Sequence, residues 1–184
     1  AASTHPGEEE LILKAYKSLR DRSACLLVIA PRHVERGAAI AALATEMGLA
    51  GGRRSLGEDP ARFAVYVADT LGEMGLWYSL ARSALVGGSL LPGLRGHNPL
   101  EAARLGCPVL TGRHVENWPI VLEMAAAGAL AMVDDDAGLT ANFQAALDAP
   151  DPLVCRAAKA RAFIDRRDGQ TRAALRRIVD LLPP

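Results

Sequence analysis

The chain has 184 residues, a length that suits one domain with a real hydrophobic core. Lys plus Arg (21) balance Asp plus Glu (21), which excludes the global basic field of a nucleic-acid-binding protein. Half of the residues are hydrophobic but only 4% are aromatic, so helices packed on a buried sheet are favoured over an aromatic-rich β-sandwich.

The pattern alternates short apolar runs with longer helical stretches. A helix is predicted over residues 8–20, followed by a buried strand over 26–30 that ends at Pro31. The loop Pro31-Arg32-His33-Val34-Glu35-Arg36 then places an arginine at a strand's carboxyl end, where its planar fork of donors can meet a phosphate. Arg32 can equally pair with Glu35 or Asp69 on the surface. A helix over 38–47 and a strand over 63–67 lead to Asp69-Thr70-Leu71-Gly72-Glu73. Thr70 and Glu73 have capping-box spacing for a helix over 73–82, while Gly72 in a first helical turn leaves room for another group to approach the backbone.

A strand over 84–86 enters the richest loop, from Gly87-Gly88-Ser89 through Gly93 to Asn98-Pro99-Leu100-Glu101. Glycines after a strand are what phosphate-cradling loops use, although this triplet alone is weak evidence. Asn98 reads as N-cap, Pro99 as N1 and Glu101 as N3 of a helix over 99–105, whose N-terminus would face a ligand. Glu101 either caps that helix or accepts hydrogen bonds from a ribose diol. Strands over 108–110 and 129–133 and helices over 118–127, 139–147, 152–165 and 171–182 complete the pattern. Asp134-Asp135-Asp136 reads as a loop and helix start rather than a metal site, and His97, His114 and Glu116 lack metal-ligand spacing. No cofactor, catalytic metal or nucleophile–base set is expected.

Strand–helix alternation predicts βαβ units in a parallel, Rossmann-like α/β fold whose ligands bind beyond the strands' carboxyl ends. With no repeat or linker visible, residues 1–184 read as one domain. Cys25, Cys107 and Cys155 are few, odd in number and scattered, which favours a reducing compartment. No apolar run approaches the roughly 20 residues of a membrane span, no signal peptide opens the chain, and Ala1 in place of Met reads as an excised piece.

Taken in order, Ala2-Ser3-Thr4-His5-Pro6-Gly7-Glu8-Glu9, Pro31-Arg32-His33-x-Glu35-Arg36, Asp69-Thr70-x-Gly72-Glu73, Val86-Gly87-Gly88-Ser89-Leu90, Gly96-His97-Asn98-Pro99-Leu100-Glu101 and Gly112-x-His114 resemble the 3-deoxy-D-manno-octulosonic acid (Kdo) transferases. Each motif is modest; the ordered set is specific. The resemblance implies the C-terminal, nucleotide-sugar-binding half of a GT-B-fold glycosyltransferase. It implies inverting, metal-independent transfer of Kdo from CMP-Kdo to a lipid A precursor, at the cytoplasmic face of the inner membrane and its lipid surface. It implies that Pro31, Arg32, Leu71, Gly72, Glu73, Asn98, Pro99, Leu100 and Glu101 contact CMP. The general base and acceptor surface are expected in an N-terminal domain that nothing in this chain matches, so no catalytic residue is expected here and the chain alone is expected to be inactive. The chain departs from the family in a loop one residue longer, Pro92–Gly96, with Arg95 where a glycine is expected. Two other readings stand beside it: a fragment of a GT-B-fold UDP-sugar epimerase, and a non-enzymatic nucleotide-binding module.

Overall fold

The computed structural model describes residues 1–21 and 25–179. Seven strands form one parallel sheet in the order β3-β4-β2-β1-β5-β6-β7. They are β1 (Ala2–Thr4), β2 (Leu27–Pro31), β3 (Gly51–Arg53), β4 (Val65–Val67), β5 (Ala84–Val86), β6 (Val109–Gly112) and β7 (Leu130–Val133). The helices are α1 (Glu8–Lys17), α2 (Gly37–Glu46), α3 (Met74–Leu80), α4 (Leu100–Arg104), α5 (Ile120–Ala126), α6 (Asp136–Asp148) and α7 (Pro150–Val179).

Strand pleating divides the apolar residues between two cores. On one face Ile12, Leu13 and Tyr16 of α1, Ile40 and Ala44 of α2 and Leu139 of α6 pack on Leu27, Ile29, Val65, Val67 and Leu85. On the other, Ala102 and Ala103 of α4, Val121 and Met124 of α5 and Phe163 and Ile164 of α7 pack on Ala84, Val86, Val109 and Leu130. In β5, Leu85 faces the first core while Ala84 and Val86 face the second, as period two requires. The expected α/β class holds.

Two strands were not anticipated. β1 has three residues, and β3 is Gly-Gly-Arg, which carries no apolar signal but pairs in register with all of β4. The Gly52 backbone lies so close to Phe63 that an added Cβ would stand 2.4 Å from that ring. The helices predicted over 152–165 and 171–182 are one element, α7, because Gly169 in a helix interior costs only about 1 kcal/mol. The end of the second prediction lies outside the described residues.

The chain leaves β1 for β2, β3 and β4 on one side, then returns to β5 on the other side of β1. The crevice beyond the carboxyl ends of β1 and β5 is therefore the topological switch point, where ligands bind in sheets of this kind.

Candidate functional site

Four segments meet at that crevice, and buried carboxylates hold them in place. Glu8 is fully buried at the start of α1. Its Oε1 accepts from the Ser89 and Leu90 N–H groups at 2.9 Å, and its Oε2 accepts from Gly88 N–H at 2.8 Å and His5 N–H at 3.0 Å. The Gly87-Gly88-Ser89 loop thus does cradle an anion, but the anion is the protein's own carboxylate. Glu9 accepts two hydrogen bonds from Arg36 (2.6 and 3.1 Å) and one from the Thr4 hydroxyl (2.8 Å), tying β1 to the segment after β2. Asp69 accepts from Ser55 N–H, the Ser55 hydroxyl and Arg53. Burial opposes its ionisation, yet the Ser55 and Arg53 contacts outweigh burial and hold Asp69 below the usual carboxylate range.

The predicted site residues fare differently. Arg32 is exposed at the end of β2; neither Glu35 nor Asp69 pairs with it, and its guanidinium has no carboxylate partner among the described residues. Pro31 closes β2 beside it. Leu71 is 83% exposed, an apolar side chain turned to solvent. Gly72 has φ +85° with open space around its missing Cβ, so glycine is needed there for the backbone turn.

That turn also corrects the capping box. A left-handed residue cannot enter a helix, so α3 starts at Met74; Thr70 is not its N-cap and Glu73 is not N3. Instead Glu73 accepts three hydrogen bonds from Arg54 and one from the Thr70 hydroxyl. Arg54, with Thr70 next, draws Glu73 down to about 2.

At α4 the helical residues assigned begin at Leu100; Pro99 just before it already has helical backbone angles, and Asn98 Oδ1 accepts from the Leu100 N–H at 2.9 Å, the side-chain bond of an N-cap asparagine followed by proline at N1. Five residues give little macrodipole, so the expected anion-binding helix terminus is weak. Glu101, in the first turn, is exposed and its side chain caps nothing among the described residues. Asp135 does cap α6, accepting from Gly138 N–H at 2.7 Å, as the helix-start reading of 134–136 requires.

Arg95 adopts φ +67°, a conformation that an L side chain pays roughly 1–2 kcal/mol to hold. This is the position where a glycine was expected. Arg95→Gly should therefore leave stability unchanged or raise it by up to about 1 kcal/mol despite glycine's larger unfolded-state entropy, as read by chemical denaturation. A loss above about 1 kcal/mol would show that the arginine side chain is itself a structural tie.

No family model matches the chain. It is 35% identical to the 3-deoxy-D-manno-octulosonic acid transferase of Haemophilus influenzae across all of its own length and 43% of that protein. It is 43% identical over 121 residues to a probable mitochondrial enzyme of the same name from Arabidopsis thaliana, covering 64% of the chain and 27% of the relative. Among solved structures, the C-terminal CMP-Kdo binding domain of WaaA from Acinetobacter baumannii superposes with a TM-score of 0.77 at 35% identity, over 86% of each chain. The chain belongs to the Kdo transferase family.

WaaG, a glycosyltransferase involved in lipopolysaccharide biosynthesis, shares the fold at 20% identity and a TM-score of 0.60. The sheet and its flanking helices are those of a GT-B glycosyltransferase C-terminal domain. The chain spans less than half the length of the curated Kdo transferases it matches. Sequence reasoning singled out Arg32, Leu71 and Glu101, whose side chains are exposed, but missed the structural ties made by Glu8, Arg36 and Arg54. The one available signal for Glu8 was a Gly-Glu-Glu triplet at a predicted helix start.

Proposed function

We propose that the chain is the donor-binding half of an inverting, metal-independent transferase that moves Kdo from CMP-Kdo to a lipid A precursor. The parent enzyme works in lipopolysaccharide core assembly at the cytoplasmic face of the inner membrane, and an N-terminal domain supplies the general base. No helix among the described residues is long and apolar enough to cross a membrane.

The observation that carries this reading is selective pairing at the crevice. Glu8, Glu9, Asp69 and Glu73 are each held by protein donors, whereas Arg32 and Glu101 stand exposed without an ion pair among the described residues. Arg32 suits the phosphate, Glu101 the ribose diol, and exposed Leu71 beside Gly72 the cytosine face. Pro31, Asn98, Pro99 and Leu100 shape the two walls, and Glu73 holds its loop through Arg54. As the ketosidic bond breaks, charge grows on the CMP phosphate. The cradle after β5 is already filled by Glu8, so Arg32 bears more of that stabilisation than backbone amides do.

CMP is therefore expected to bind without metal, and Arg32→Ala to weaken it by roughly 1.5–3 kcal/mol, about tenfold to a hundredfold. Titration calorimetry with and without chelator measures both, and an absolute magnesium requirement would overturn the reading. Glu101→Gln should lower CMP affinity by about 1 kcal/mol while shifting the melting free energy by less than about 0.5 kcal/mol. A double-mutant cycle against 2′-deoxy and 3′-deoxy CMP separates the roles. Zero coupling would remove Glu101 from the ribose.

A further inference from the structure

The crevice contains a pair of imidazoles that the assignment above does not use. His5, just after β1, and His97, in the loop after β5, face each other with Nε2–Nε2 at 2.7 Å. Their ring centroids lie 5.0 Å apart and their planes differ by 10°, so the rings meet end to end through one N–H···N hydrogen bond. The geometry is imposed from several sides. Glu8 accepts from His5 N–H and Gly88 N–H together, fixing the two loops against each other. Ser3 holds φ +55°, an uncommon conformation for a serine, where β1 slips register against β2. Gly88 is packed so tightly that an added Cβ would lie 2.8 Å from the His97 ring. Neither Nδ1 has a hydrogen-bond partner among the described residues.

We propose that the His5–His97 pair is a proton-accepting subsite that takes up one proton from solvent when the phosphate or carboxylate of an anionic nucleotide sugar is seated beside it. The inference rests on the donor-site reading. In the neutral pair one Nε2–H lies between the rings, and only the acceptor ring presents an outward Nδ1–H. Adding one proton forms a single N–H bond and breaks none within the protein. Both Nδ1 atoms then become donors, and the pair carries one positive charge.

Without ligand the surroundings oppose that charge. Burial, His5 and Arg32 hold His97 below the ordinary histidine range, and only Glu8 pulls the other way. His33 meets His5 edge-on at 6.2 Å, with Glu35 3.6 Å from His33. Arg95 precedes His97 in its loop, Glu101 follows it on α4, and His114, with Glu116 3.9 Å away, flanks the loop from β6. Glu9 is neutralised by Arg36. A bound anion reverses the balance. The liganded state holds more protons, so affinity rises as pH falls through neutrality and levels off once the free pair is protonated.

The test uses the methyl ester of CMP, a phosphodiester with no ionisation near neutral pH. Calorimetry near pH 7.4 in buffers of different ionisation enthalpy should give an uptake of about 0.5–1 proton per ligand. His97→Gln should abolish the uptake and weaken binding at pH 6.5, with the two proteins converging near pH 8.5. Binding with no uptake by the parent, or full uptake by His97→Gln, overturns the inference and leaves the donor site standing. Failure of both CMP and its ester to bind overturns the donor site and the inference together. If His97→Gln does not fold, ring-nitrogen NMR of the parent decides. The ring-nitrogen resonances of the pair should titrate roughly two pH units higher with ligand, the shift that the expected proton uptake requires, and an unshifted titration overturns the proposal.

Discussion

Glu8→Ala should unfold the domain roughly 10 °C earlier than the parent, a loss of about 3–5 kcal/mol. Truncation leaves the N–H groups of His5, Gly88, Ser89 and Leu90 without the acceptor they share, the Gly88 and Ser89 donors being buried and the other two part-buried. Each orphaned buried donor costs about 1–3 kcal/mol, and local relaxation keeps the sum below simple addition. Glu10→Ala is the matched control. Glu10 pairs with Lys14 on the exposed side of the same helix at 2.7 Å, a surface interaction whose loss shifts stability within about 1 kcal/mol. Scanning calorimetry of both variants checks the contrast. A Glu8→Ala loss under about 1 kcal/mol would mean that the loop after β5 holds its shape by other means.

Gly112→Ala is expected to cost about 3 kcal/mol or more and to weaken CMP binding as well. A Cβ at Gly112 would stand 2.0 Å from the Ser89 carbonyl oxygen and 2.4 Å from its carbon, and both are backbone atoms that cannot rotate away. The same strand end is tied to the loop after β5 by Gly112 N–H donating to the Ser89 hydroxyl at 2.8 Å and His114 N–H donating to the Ser89 carbonyl at 3.0 Å. The substitution therefore pushes on the segment that carries His97 and Asn98. Gly75→Ala tests the opposite case, since it lies in α3 with open space around it and should stabilise by about 0.5–1 kcal/mol. Denaturation and CMP titration on both variants give the comparison. Intact affinity in Gly112→Ala would uncouple β6 from the donor loop.

The apolar runs that became β2, β4, β5, β6 and β7 were legible because buried parallel strands need continuous Val, Leu, Ile and Ala. β3 was not, since Gly51 and Gly52 are selected by close packing against Ala41 and Phe63, which only the folded chain brings near. Arg32 was legible from its place after a strand. The anion held by the Gly87-Gly88-Ser89 loop was not, because Glu8 reaches it across 80 positions of sequence. Capping was misread at Thr70 because the spacing of a capping box does not reveal where a left-handed glycine delays the helix, whereas the Asn98-Pro99 start was legible and Asn98 makes its capping bond to Leu100 N–H.

The long C-terminal helix has two halves of different character. At about 1.5 Å per residue, α7 extends roughly 45 Å. Phe163 and Ile164 bury it against the sheet, and Arg104 grips Asp168 with two hydrogen bonds of 2.9 Å. Beyond that clasp, residues 169–172 and 174–177 are exposed. Amide exchange would divide this one helix into an inner segment that opens only with the whole domain and an outer one that frays at little free-energy cost.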